Sequence, residues 1–148
     1  MDLDIIAIVV SIIAIVVSVI TFVSQKQQDK KLNTINLEAE YFSDIYKEHL
    51  IKNIPNARRY IAFVQGKLSG TQKMIDVLKA IQQDSYYYCY KEPEFYEKMQ
   101  KKVQDFEDYL SSNTGHSYTG EQQTEVLLKI KIYIEEIYDC ICNHLVGN

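Results

Sequence analysis

The stretch Ile5-Ile6-Ala7-Ile8-Val9-Val10-Ser11 is followed at once by Ile12-Ile13-Ala14-Ile15-Val16-Val17-Ser18, the same residues in the same order, and the apolar run continues to Val23 without a charge. At about 1.5 Å per residue a helix over Ile5 to Val23 is roughly 28 Å long, which predicts a transmembrane helix. The small residues Ala7, Ser11, Ala14, Ser18 and Thr21 recur at alternating helical spacings and therefore share one face. In lipid, helices associate through close packing of small residues and side-chain hydrogen bonds, because apolar burial gives no net drive there. The seam predicts a homo-oligomer assembled through the span. A passive anchor carrying a chance repeat is the alternative.

Outward from this run, the flanking charges set an expected topology. Asp2 and Asp4 precede it, whereas Lys26, Lys30 and Lys31 follow it. The positive side is thus C-terminal, which predicts a single-pass protein of the cell membrane with the N-terminus outside and the rest in the cytoplasm. No basic n-region precedes the run and no small-residue cleavage site follows it, so a signal peptide is disfavoured. The expected organisation is a transmembrane anchor over residues 1–23, a juxtamembrane stalk helix over 24–52, and a cytosolic helical domain over 53–148. The lipid bilayer is then one expected partner.

Composition narrows the function classes. The chain has 148 residues, a formal net charge of −4 and a sequence pI near 5.4. Duplex nucleic acid requires a broad basic footprint, which this composition does not supply. Cys89, Cys140 and Cys142 are an odd number of thiols, in keeping with a reducing compartment and not with a secreted disulfide framework. Twelve Tyr, five Phe and no Trp give a strong bias toward one amphipathic aromatic.

Beyond the apolar run the spacing of hydrophobic residues is helical throughout, predicting an all-α fold with no strands. Gln25, Gln28, Leu32, Ile35, Ala39, Phe42 and Tyr46 continue the seam; the polar stretch from Ser24 to Lys31 reads either as uninterrupted helix or as a linker. Asn53-Ile54-Pro55 predicts a helix stop, because the residue before proline is pushed out of the helical region. Pro55 then opens a second helix to about Gln65. A third is expected from Thr71 to Tyr90, with a capping box from Ser69 or a cap from Thr71. Pro93 opens a fourth, whose stripe Tyr96, Met99, Val103, Phe106 and Leu110 has the spacing of a buried face. After a polar loop from Ser111 to Gly120, Thr119 and Gln122 form a capping box for the last helix. Leu127, Ile130, Ile134, Ile137, Ile141 and Leu145 are its core face, and short connections make a bundle.

Catalytic and metal signatures are scarce. Cys140 and Cys142 lie on opposite sides of a helix, and no tight pair of ligands supports a structural zinc site. Glycine-rich phosphate loops and the H-E-x-x-H pattern are absent, and neither arginine has a histidine at the spacing used by helical nucleases. No enzyme, cofactor or metal is therefore expected. One constellation remains: Lys52-Asn53-Ile54-Pro55-Asn56-Ala57-Arg58-Arg59-Tyr60 holds both arginines of the chain. Placed in an opening helical turn, Arg58 and Arg59 with Tyr60, Asn53 and Lys52 predict a site for a small anion, such as a nucleotide. Pairing of the arginines with acidic residues of the stalk or of a neighbouring copy is the alternative.

In outline, a very short N-terminus, one oligomerising span and a compact helical domain without catalytic motifs, the chain resembles small prokaryotic membrane effectors of antiviral defence. It is similar in particular to the membrane-anchored ancillary effectors of type III CRISPR systems, whose helical cytosolic domains bind cyclic oligoadenylate. That resemblance implies a membrane-perturbing effector gated by a cyclic nucleotide. A membrane-tethered scaffold that docks a cytosolic protein partner is the competing expectation.

Overall fold

A computed structural model describes residues 17–18, 20–29 and 39–146. The chain divides into two compact units, Met1–Glu40 and Tyr41–Asn148. In the first unit, residues 20–29 are helical and exposed, and the Thr21 hydroxyl donates to the Val17 carbonyl at 2.8 Å. No helix of the described residues is long and apolar enough to cross a membrane. This overturns the expected transmembrane helix, and with it the single-pass membrane location. Of the expected span, the described helix holds only residues 17–18 and 20–23 before it turns polar at Ser24, Gln25 and Lys26, whereas a span needs about 20 consecutive apolar residues. The seam residues Ala7, Ser11 and Ala14 lie outside the described residues; Ser18 and Thr21 are exposed.

The second unit opens with helix α1, described over residues 39–48, of which Tyr41 onward belongs to this unit. Phe42 and Tyr46, expected on a seam toward neighbouring copies, are buried in the core of their own chain. The helix does not stop at Asn53. It widens into a π turn, His49–Asn53, and continues as α2, Ile54–Arg58. Proline explains the widening, since its ring crowds the carbonyl one turn back and it has no N–H to donate. In the π turn the Ile54 N–H reaches past its usual acceptor to the His49 carbonyl, and Leu50 then has no backbone donor because the next residue is Pro55. The hydroxyl of Tyr138, from the last helix, donates to that Leu50 carbonyl instead.

A short hairpin replaces the end of the expected second helix. β1 (Ala62–Val64) pairs antiparallel with β2 (Lys67–Ser69), with Phe63 opposite Leu68. The connecting residues Gln65 (φ 52°) and Gly66 (φ 79°) both take positive φ, the requirement of the two-residue turn whose twist matches a hairpin. Residues 115–118 lie against β2: the Gly115 N–H donates to the Leu68 carbonyl at 2.9 Å, and Lys67 bridges to Ser117. The all-α expectation is corrected by this hairpin, and Ser69 lies in a strand instead of capping a helix.

Helix α3 (Gln72–Asp84) ends at Ser85, short of the expected Tyr90, and α4 (Tyr86–Lys91) restarts the chain. Ser85 is fully buried; its hydroxyl donates to the Ile81 carbonyl at 2.5 Å and accepts from the Tyr46 hydroxyl at 2.8 Å. A serine bonded back onto its own helix competes with the regular ladder and bends it. Helix α5 (Pro93–Asn113) starts at its proline and buries Met99, Val103, Phe106 and Leu110 as the stripe predicts, with Phe95 more buried than Tyr96. Helix α6 (Gly120–Val146) starts with one half of the expected box: the Gln122 side chain accepts from the Thr119 N–H at 2.9 Å. Ile130, Ile137 and Ile141 are buried, and Leu127 and Ile134 are half-buried. α5 packs along α6, and α3 packs on α2 and α5.

Candidate functional site

The packing of α2 on α3 leaves an open depression of about 610 Å³, lined by Asn53, Asn56, Ala57, Arg59, Tyr60, Lys73, Asp76 and Val77. The π turn, α2 and the turn that follows supply Asn53, Asn56, Ala57, Arg59 and Tyr60, and α3 supplies Lys73, Asp76 and Val77 at helical spacing. Buried Ala57 and half-buried Val77 give the depression an apolar floor, while Arg59, Tyr60, Lys73 and Asp76 are exposed.

The charges at the rim are unevenly committed. The Lys73 ammonium stands 3.2 Å from the centroid of the Tyr60 ring, a cation–π contact. Lys73, and to a lesser extent Arg59, favour the ionised form of the Tyr60 phenol and lower its pKa below the ordinary value. Asp76 accepts from the Gln72 amide at 2.9 Å. Among the described residues the Arg59 guanidinium has no ion-pair partner. The titratable charges therefore sum to a single net positive charge carried on exposed side chains.

The expected residues fall into separate environments. Asn53, Arg59 and Tyr60 line the depression, whereas Arg58 and Lys52 do not. Arg58 is half-buried and its Nη1 donates to the Ile61 carbonyl at 3.2 Å, closing the end of α2. Both arginines stand at the C-terminal end of α2, because the π turn carries the helix through Pro55 without a new N-terminus. Cations are favoured at that end, so the helix-end electrostatics that pointed to an anion do not apply. Arg59, Lys73 and Tyr60 are the groups that line the depression together. Lys73 and Asp76 have no local signal in the sequence, since only the tertiary packing brings α3 beside α2.

Asn53 also belongs to a polar chain that is buried only at its centre, His49, with Asp84 exposed at the other end. His49 is 6% exposed, its Nε2 is 2.7 Å from Asp84 Oδ2, and its Nδ1 is 3.2 Å from Asn53 Nδ2. In the aromatic core, His144 stacks on Phe95 with ring centroids 3.9 Å apart and pairs with Glu92 at 3.3 Å. Cys140 is buried and Cys142 exposed, on opposite sides of α6. Among the described residues no group of three His, Cys, Asp or Glu side chains is placed to hold a metal ion. A second exposed feature is aromatic: Tyr86, Tyr87 and Tyr90 of α4 face solvent, and Tyr86 and Tyr90 share a hydroxyl–hydroxyl hydrogen bond of 3.2 Å.

Comparison of the chain with protein-family models, with curated proteins and with solved structures gives no match. The functional reading rests on the geometry.

Proposed function

We propose that the Tyr41–Asn148 unit is a binding module for a small phosphate-bearing anion, the class that includes nucleotides, and that it senses this ligand instead of transforming it. The observation that carries the reading is the convergence of Arg59, Lys73 and Tyr60 on one depression, with the Arg59 guanidinium uncommitted among the described residues. Arg59 presents a planar fork to phosphate oxygens, Lys73 adds a point charge, and Tyr60 offers an aromatic edge to a base or sugar. Asp76 opposes anions at one side of the rim and directs the phosphate toward Arg59.

Titration of the full chain with inorganic phosphate, a nucleoside monophosphate and a cyclic oligonucleotide, read by melting temperature and amide chemical shifts, tests the reading. A charge-assisted hydrogen bond is worth about 1.5–3 kcal/mol, so Arg59→Ala is expected to weaken binding by about tenfold to a hundredfold. Arg58→Ala is expected to lower the melting temperature and leave binding in place, because its guanidinium is spent on the Ile61 carbonyl. No response to any of the probes overturns the reading. A second reading, docking of a protein partner, draws on the exposed tyrosines of α4, since Tyr is favoured where an apolar ring and a hydroxyl are both used. Its sign is a stoichiometric protein retained by the native chain and lost from a Tyr86→Ser, Tyr90→Ser variant.

A further inference from the structure

The hydrogen-bonded chain Asp84–His49–Asn53, buried at His49 and exposed at Asp84, reaches a residue that lines the depression, and its chemistry fixes which end of the Asn53 amide meets the ring. A carboxylate only accepts hydrogen bonds, so the His49 Nε2 that stands 2.7 Å from Asp84 Oδ2 carries the proton. In a neutral imidazole the other nitrogen is then a bare acceptor. Nδ1 is 3.2 Å from Asn53 Nδ2, so the amide must offer its NH₂ to the ring. Its carbonyl oxygen is the opposite end of the same planar group, and among the described residues nothing donates to it. Asn53 lines the depression together with Arg59 and Lys73. The amide does not gain by turning over, because its oxygen would meet the bare Nδ1 and both acceptors would be left unpaired in a half-buried site.

We propose that His49 and Asp84 are positioning residues that lock Asn53 with its Oδ1 as the acceptor of the site, so that the module prefers a phosphorylated ligand carrying an N–H or O–H donor over one of the same size without it. The proposal rests on the anion reading of the depression and adds to it the chemistry of the ligand's uncharged part. Arg59 and Lys73 select the phosphate; Asn53 selects the donor.

Three probes separate these roles: phenyl phosphate, 4-methoxyphenyl phosphate, which adds an acceptor, and 4-aminophenyl phosphate, which adds a donor. Each is titrated against the full chain and followed by amide chemical shifts. A neutral hydrogen bond contributes about 0.5–1.5 kcal/mol, so 4-aminophenyl phosphate is expected to bind about twofold to tenfold more tightly than the other two. Asn53→Ala is expected to abolish that preference while keeping the affinity for phenyl phosphate, and Arg59→Ala to weaken all of them alike. Equal affinities for the probes in the native chain, with binding still dependent on Arg59, overturn the role of Asn53 and leave the anion reading standing. No Arg59-dependent binding of any probe overturns both. A direct measurement on the native chain needs no variant to fold: two-bond ¹H–¹⁵N spectra of His49 are expected to show a protonated Nε2 and a bare Nδ1. The opposite tautomer, or a ring protonated at both nitrogens, which would take the Asn53 oxygen as its acceptor, overturns the lock.

Discussion

At residue scale, Pro55 decides more than its position as a helix punctuator suggests. The sequence predicts that it ends one helix and starts another, and that prediction places Arg58 and Arg59 at a helix N-terminus. In the structure the π turn absorbs the proline, and the arginines come to lie at the C-terminal end of α2. Nothing in the local sequence distinguishes the two outcomes, because the rescue comes from Tyr138, far along the chain, whose hydroxyl satisfies the Leu50 carbonyl. A test follows from the missing N–H. Tyr138→Phe leaves that carbonyl without its donor and is expected to cost about 1–2 kcal/mol. Pro55→Ala returns an N–H five residues beyond Leu50, so Tyr138→Phe is expected to cost measurably less in that background. Urea unfolding of the single and double variants gives the coupling. Equal costs in both backgrounds mean that the proline is not what makes Leu50 depend on Tyr138.

At the scale of elements, α5 and α6 are legible in the sequence, whereas the expected membrane helix is overturned and the connections are not legible. The stripe on α5 and the bond from the Thr119 N–H to the Gln122 side chain follow from spacing and short-range hydrogen bonding, which the sequence carries directly. The hairpin at residues 62–69 was missed because it is only three residues per strand, and its turn uses Gln65 where Asn or Asp is the usual signal. The break at Ser85 is not legible because a serine in a helical stretch does not announce its bond back to the Ile81 carbonyl, nor the hydroxyl of Tyr46, remote in sequence, that donates to it. Gly66 and Gly70 distinguish a turn requirement from a packing requirement. At Gly66 (φ +79°) the nearest atom to an added Cβ, the Tyr118 carbonyl oxygen, is 3.5 Å away, so Gly66→Ala suffers only the positive-φ strain of about 1–2 kcal/mol. At Gly70 (φ +74°) an added Cβ falls 1.9 Å from the Tyr60 carbonyl oxygen and 2.7 Å from its carbon, and backbone cannot step aside without moving Tyr60 itself. Gly70→Ala is therefore expected to lower stability by more than about 3 kcal/mol, the range of severe backbone and packing defects, and to disturb the depression that Tyr60 lines. Denaturant midpoints for the two variants check this; similar values would mean that the hairpin does not hold Tyr60 in place.

For the molecule as a whole, tyrosine is the residue that the core and the surface share, and only the structure divides the twelve between them. Composition made the bias plain, but spacing could not tell Tyr46 and Tyr88, which are buried, from Tyr86, Tyr87 and Tyr90, which are not. The division has a consequence for alkaline stability. Burial raises the phenol of Tyr46 far above its ordinary value, and raises those of Tyr109 and Tyr138 and the Cys140 thiol in the same sense. The unfolded chain releases these protons near the ordinary values, about 8.5 for a thiol and about 10 for a phenol, whereas the folded chain retains them to higher pH. Above those values the folded state binds more protons than the unfolded one, so raising the pH favours unfolding. The contribution is complete below about pH 8.5 and is lost progressively as pH climbs through about 10 and beyond. A group in that window contributes up to about 1.4 kcal/mol per pH unit. Urea midpoints are therefore expected to be insensitive to these groups between pH 7 and pH 8.5 and to fall steeply near pH 11. Tyr46→Phe removes the most strongly shifted phenol, together with its hydrogen bond to Ser85, and is expected to lower stability at pH 7 yet flatten the alkaline decline. A decline of unchanged slope in Tyr46→Phe would assign the alkaline sensitivity to other groups and remove Tyr46 from its place as the main buried proton of the core.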